Sequence, residues 1–301
     1  MATIRSWISA SRLRTLPLAA SSTLAGSFLA VADRAYSISI ISWALVTTLL
    51  LQILSNMAND LGDSLKGTDN EHRLGPLRTV QSGNIKVGEM KRAVAVVALI
   101  TLASGIVLIV SSLGISNWKV LLFLALGVAS IAAAITYTIG RTAYGYSGFG
   151  DLFVFLFFGL TGVLGTYYLN AHQLKTDTFL MAISVGFLST GVLNLNNLRD
   201  IDNDRRSNKH TIAVRLGERN AKIYHLLLIV IALAAGIAYT LLNFVSPWQF
   251  LYLLTFPLFA IQLVAIFRIK EHRRLDPFLR YLALTTFAYV LLFGAGIWIA
   301  L

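Results

Sequence analysis

Cysteine is absent from the 301 residues. That excludes disulfides, thiolate catalysis and cysteine-ligated zinc. Charge is scarce: only 13% of the residues are Asp, Glu, Lys or Arg, against about a quarter in soluble domains. Acids are the rarer sign, 14 against 25 basic residues. Apolar residues make up 56% of the chain, and the mean hydropathy is +0.70. A soluble core of this size could not bury so much apolar surface, so lipid must be the solvent over much of the chain. The net charge of +11 would suggest nucleic acid in a soluble protein. Here the basic residues sit between apolar segments, so topology explains them, contact with anionic lipid is secondary, and no nucleic-acid partner is expected.

A spanning helix needs about 20 mostly apolar residues. Nine stretches qualify, near 15–33, 38–60, 93–113, 118–136, 149–169, 178–197, 222–242, 247–268 and 280–300. They are continuous runs without the alternation of a barrel, which leaves helices as the way to pair the backbone in lipid. The expected fold is all-α, a polytopic membrane protein in one domain over residues 1–301, with long polar loops at 61–92 and 198–221. Alternate connections collect 22 of the 25 Lys and Arg on one side, leaving Arg34, Lys119 and Lys175 on the other. The positive-inside rule puts the crowded side in the cytoplasm, with the N-terminus inside and the C-terminus outside. A missed span would scramble that parity. Arg5, Arg12 and Arg14 before an apolar run ending Ala30-Val31-Ala32 have the outline of a signal peptide. A first spanning helix is the plainer reading, with residues 4–14 as an interfacial helix and Trp7 at the headgroups.

The two long loops open with related text, each with Asn-x-x-x-Asp: Asn56-Met-Ala-Asn59-Asp60-Leu-Gly-Asp63 and Asn196-Asn197-Leu-Arg199-Asp200-Ile-Asp202-Asn-Asp204. They follow spans two and six, which suggests two related four-helix halves and one added helix. Positions three and four apart share a helix face. Asn56, Asn59, Asp60 and Asp63 therefore form one stripe, and Asn196, Asp200 and Asp204 another. Like charges one turn apart repel, and an acid near a helix C-terminus opposes the macrodipole. A sequence that accepts both costs gains a cation in return. All-oxygen ligands suit magnesium, calcium or manganese rather than zinc, and magnesium usually binds one or two carboxylates plus substrate phosphates. Asp60, Asp63, Asp200 and Asp204 are the candidate catalytic metal ligands. Arg78 and Lys209 follow their stripes in comparable places and would neutralise a diphosphate. Asp69 lies beyond Gly67 in a turn, and Asp202 points away from the Asp200/Asp204 face if the helix continues; both are further metal candidates. Asp151, just inside span five, needs a partner, and Arg141 and Arg199 are the candidates.

At these residues the chain resembles the UbiA-type membrane prenyltransferases. The matching motifs are Asn59-Asp60-Leu-Gly-Asp63 and Asp200-Ile-Asp-Asn-Asp204, and the resemblance covers nearly the whole chain. Tyr137 and Arg141 resemble the family's Tyr-x-x-x-Lys segment. Other branches carry a third acid four residues after Asp63; Gly67 stands there, and the next acid is Asp69. Four segments are similar to the branch that prenylates 1,4-dihydroxy-2-naphthoate: 11–17, 73–78, 144–151 and 196–217. The resemblance implies magnesium, an all-trans polyprenyl diphosphate donor, loss of carbon dioxide, and demethylmenaquinone as product, in a bacterial inner membrane with the site facing the cytoplasm. Asn56, Asn59, Arg78, Tyr137, Arg141, Asn196, Arg199 and Lys209 are the candidate substrate-binding residues, and Arg14 is a candidate for the acceptor's carboxylate. The alternatives are a family member using another aromatic acceptor, such as 4-hydroxybenzoate, and a small-molecule transporter.

Overall fold

The structure is a computed structural model and describes residues 2–68, 74–141 and 143–301. The helices in chain order are α1 (Ile4–Ser11), α2 (Leu16–Ala32), α3 (Ile38–Leu65), α4 (Val87–Leu113), α5 (Lys119–Thr136) and α6 (Gly150–Ala171). They continue with α7 (Thr178–Arg199), α8 (Ile201–Arg206), α9 (Ile212–Leu242), α10 (Pro247–Arg268) and α11 (Asp276–Ala300). Among the described residues, nine helical segments are long and apolar enough to cross a membrane, α1 and α2 counting as one. The protein is a multi-pass, all-helical membrane protein.

The two halves repeat a packing theme. In the first half α3 packs along α4; in the second α7 packs along α9. Each half thus pairs its second and third spans, and the second span carries the acidic motif. The ninth span, α11, closes the bundle against α2 and α10. The largest core lies in the second half, where Met181, Ala182, Val185, Leu188, Leu195 and Leu198 of α7 are fully buried. Helix α2 reaches into the same core through Ala25, Leu29 and Ala30.

Local irregularities have identifiable causes. Gly217 interrupts α9 with φ 74° and ψ 164°, a conformation that only glycine adopts without strain. Pro257 lacks the N–H that would continue an α-helix, and the preceding residues, Pro247–Thr255, wind as a 3₁₀-helix. The middle of α6, Phe155–Gly165, is wound as a π-helix, a rare form that is frequent at functional sites.

Candidate functional site

Both acidic motifs lie at the end of the bundle that carries α1 and α8. Helix α3 holds Asn56, Asn59, Asp60 and Asp63 in regular α conformation to its end at Leu65. Gly62 lets α3 approach the end of α5: a Cβ there would stand 2.6 Å from the Thr138 Cβ. The following loop folds back over the helix. Asp60 accepts from the Thr79 N–H at 3.1 Å, the Thr79 hydroxyl at 2.5 Å and the Val80 N–H at 3.3 Å. Asp63 receives Arg78 Nη2 at 3.0 Å and the Tyr146 phenol at 2.8 Å. Thr68 shares a 2.5 Å hydrogen bond with the same phenol.

The second motif departs from the expected continuous helix. Helix α7 ends at Arg199, and Asp200 has φ −96° and ψ 12° before the short α8 begins. Side chains at i and i+1 diverge on a regular helix. The break lets Arg199 fork onto its neighbour, with Nε 3.1 Å and Nη2 2.5 Å from the Asp200 carboxylate. Lys209 stands 3.5 Å from Asp204, and both are buried. The Asp204 Oδ2 is buried without a hydrogen-bond partner. The two motifs are stitched together: Asn203 donates to the Thr68 carbonyl at 3.0 Å, and the His210 N–H donates to the Tyr146 carbonyl at 2.9 Å.

Burial pushes the Asp204 carboxyl up to about 6, with Asp200 and Asp63 reinforcing the shift and Lys209 opposing it. Burial also disfavours the Lys209 ammonium, but Asp204 and Asp63 outweigh that and hold it well above the ordinary lysine range. The Tyr137 phenol is pushed up to about 12, mainly by burial.

Above and between the motifs opens a cavity of about 730 Å³, the size of a small-molecule site. Its mouth is lined by Asn59, Asp60, Asp63, Arg78, Asn196 and Lys209, with Arg12, Arg14 and Arg280 nearby. Its depth is apolar and aromatic, through Leu51, Leu108, Phe123, Leu126, Phe153 and Phe157. The π segment of α6 supplies Phe157, Phe158 and Thr161 to this wall.

A polar, acid-bearing mouth over a long apolar cavity is the outline of a site for an amphiphilic diphosphate. The profile of the UbiA prenyltransferase family matches residues 19–291. The chain belongs to the UbiA prenyltransferase family. It is 41% identical to the 1,4-dihydroxy-2-naphthoate octaprenyltransferase of Escherichia coli (strain K12), over 98% of this chain and 96% of that one. Its fold is similar to the apo structure of a UbiA homolog from Aeropyrum pernix K1, with TM-score 0.66 at 19% identity over 99% of each chain. It is also similar to a UbiA homolog from Archaeoglobus fulgidus bound to DMAPP and Mg2+, with TM-score 0.60 at 15% identity over 94% of this chain and 99% of that one.

In this prenyltransferase not every expected residue faces the cavity. Asn59, Asp60, Asp63, Arg78, Tyr137, Asn196 and Lys209 line it. Asn56 instead donates to the Ser11 carbonyl and the Thr15 hydroxyl, both at 2.9 Å, and so fixes the turn between α1 and α2. Arg199 is buried behind the wall, and Arg141 is exposed away from it. Asp202 is exposed and faces His272 Nδ1 at 3.2 Å. Asp69 lies outside the described residues. Asp151 is buried with its Oδ2 unpartnered, while Arg141 is exposed and Arg199 turns to Asp200 and Asp276 instead. Tyr146, Thr79 and Asp276 join the site's network without having been singled out by spacing. Tyr146 belongs to the Tyr144–Asp151 segment that carried the resemblance, which was the one available signal.

Among the described residues no three His, Cys, Asp or Glu side chains stand close enough to hold a metal ion. Arg78, Arg199 and Lys209 sit against Asp63, Asp200 and Asp204. The donor chemistry nevertheless fits a hard divalent cation: the candidate ligands are all oxygen, Asp60 and Asp63 line the cavity while Asp200 and Asp204 lie behind its wall, and the Asp204 Oδ2 is buried without a hydrogen-bond partner.

Proposed function

We propose that the protein transfers a polyprenyl group from an all-trans polyprenyl diphosphate to 1,4-dihydroxy-2-naphthoate, releasing carbon dioxide and diphosphate and forming demethylmenaquinol, the reduced form of demethylmenaquinone. The observation that carries this reading is the pairing of an acid- and arginine-lined mouth with a deep apolar cavity in one pocket. The full-length likeness to a naphthoate octaprenyltransferase supports the acceptor. Following the positive-inside rule, we assign the acid-bearing end to the cytoplasmic face of a bacterial inner membrane, with the N-terminus inside and the C-terminus outside.

Asp60, Asp63, Asp200 and Asp204 are the residues that would hold magnesium. The ion would supply charge neutralisation for the departing diphosphate. Arg78 and Lys209 bind the diphosphate oxygens and stabilise the charge that gathers as the allylic carbon–oxygen bond breaks. The apolar cavity holds the prenyl chain and keeps water from the allylic cation, and the faces of Tyr137 and Phe153 stabilise it. The electron-rich naphthoate ring then attacks. Asn59 and Asn196 orient groups at the mouth. Arg141 has no part in this reading, and Asp202 lies outside it.

The test uses purified protein in detergent with a polyprenyl diphosphate, with and without magnesium, and mass spectrometry of the product. Magnesium-dependent demethylmenaquinol from 1,4-dihydroxy-2-naphthoate is expected, detected as demethylmenaquinone after oxidation in air. Prenylation of 4-hydroxybenzoate alone would move the protein to another branch. Transfer to neither acceptor by folded protein would overturn the enzymatic assignment.

At limiting magnesium the transfer rate should rise with pH through about 6, because a proton on Asp204 competes with the cation. Stability should slope the other way. A carboxyl raised in the folded chain contributes fully below the ordinary carboxylate value, and that contribution is lost as pH rises through the folded value. In metal-free melts the wild type should lose stability between about pH 4 and 6, and Asp204→Asn should lose less. Parallel slopes for the two proteins would refute the role of Asp204.

A further inference from the structure

Arg199 is 1% exposed, and each of its three nitrogens is engaged. Nε and Nη2 grip Asp200, Nη2 also reaches Asn196 Oδ1 at 2.9 Å, and Nη1 reaches Asp276 Oδ1 at 2.5 Å. One buried guanidinium is therefore shared between two carboxylates from distant parts of the chain. Asp200 belongs to the second acidic motif. Asp276 opens α11 and is 28% exposed, with its other oxygen 3.9 Å from Arg14 at the cavity mouth.

The sharing creates a conflict at the proposed cation site. A buried guanidinium keeps its partner tightly, because leaving it unpaired strands an uncompensated charge away from water. If Asp200 were the sole carboxylate on Arg199, turning Asp200 toward a divalent cation would leave that guanidinium stranded. Asp276 removes the conflict by giving Arg199 a second carboxylate that has no place in the metal cluster.

We propose that Asp276 is a positioning residue that retains the Arg199 guanidinium and so makes Asp200 available to a divalent cation. The inference rests on the proposed role of Asp200 as a metal ligand. Asp276 touches neither substrate nor cation; it acts through Arg199. Its removal should weaken cation binding more than any later step, because the competition is between Arg199 and the cation for one carboxylate.

The experiment measures Mn2+ binding by electron paramagnetic resonance on the full-length protein in detergent without substrate, and the magnesium dependence of transfer alongside. In Asp276→Asn the half-saturating Mn2+ concentration should rise about tenfold, as expected for coupled neighbours, with the magnesium requirement for transfer rising in step. Asp276→Glu should restore most of the affinity. In an Arg199→Gln background, Asp276→Asn should have no further effect on Mn2+ affinity. An unchanged affinity in Asp276→Asn, or an equal shift with and without Arg199, overturns the proposal. Thermal melts of each variant separate loss of fold from loss of affinity. Wild-type protein that binds no Mn2+ at all would instead remove the metal-site reading on which the inference rests.

Discussion

Asp63→Asn should lower the rate of prenyl transfer by a factor on the order of 10³, the scale seen when a preorganised electrostatic partner of a reacting group is removed. Asp63 is 4% exposed and meets the Arg78 guanidinium and the Tyr146 phenol directly. The Lys209 ammonium also feels its charge. Asparagine keeps the shape and one acceptor oxygen but removes the charge. A hard cation loses a ligand, and Arg78 loses the carboxylate that aims it at the mouth. The loss should fall on kcat and should be accompanied by a higher magnesium requirement. Steady-state kinetics against magnesium and prenyl diphosphate will measure both. A variant within about tenfold of wild type, with unchanged magnesium dependence, would remove Asp63 from the machinery.

The second large effect concerns Lys209→Met. This ammonium sits among Asp204, Asp63 and the ring of Tyr146, whose centroid is 5.5 Å away. Breaking one side of a buried ion pair costs about 3–5 kcal/mol, because the other charge is left uncompensated. The metal-free variant should therefore melt well below wild type. Magnesium should restore a larger share of stability in the variant than in the wild type, because a cation supplies the charge the lysine no longer provides. Transfer should still fall by about 10², since a contact to the developing diphosphate charge is gone. Melting curves with and without magnesium decide the matter, and identical curves for the two proteins would refute the arrangement.

Much of this was legible in the sequence, for physical reasons. Lipid demands helices of a set length, and the parity of basic residues sorts the connections, so the nine spans follow from composition and charge alone. The stripe on α3 was equally legible, because Asn59, Asp60 and Asp63 obey helical spacing and the helix runs through them unbroken. The stripe after α7 was legible only in part. Spacing assumes a continuous helix, and the Arg199–Asp200 fork exists because the helix stops there. Spacing also placed Asn56 on the stripe, and Arg199 was a candidate beside the substrate, while their hydrogen bonds turn them to the Ser11–Thr15 turn and to Asp200 and Asp276. The partners of the acids lie far along the chain: Tyr146 is 83 residues from Asp63, and Asp276 is 77 from Arg199. No local pattern encodes contacts of that range.

The contrast between a cationic rim and an oily interior bears on how a catalytic cycle ends. On the proposed reaction both reactants arrive as anions, and the quinol precursor that leaves carries neither diphosphate nor carboxylate. Arg78 and Lys209, which keep Asp63 and Asp204 as partners, therefore find no charge to grip on the prenylated product. What remains in the pocket is an uncharged quinol whose prenyl chain has an affinity for the cavity wall that differs little from its affinity for the surrounding acyl chains. Product departure then becomes a partition into the bilayer, favoured by the abundance of lipid, and accumulation of the prenylated product in the membrane should inhibit turnover only weakly.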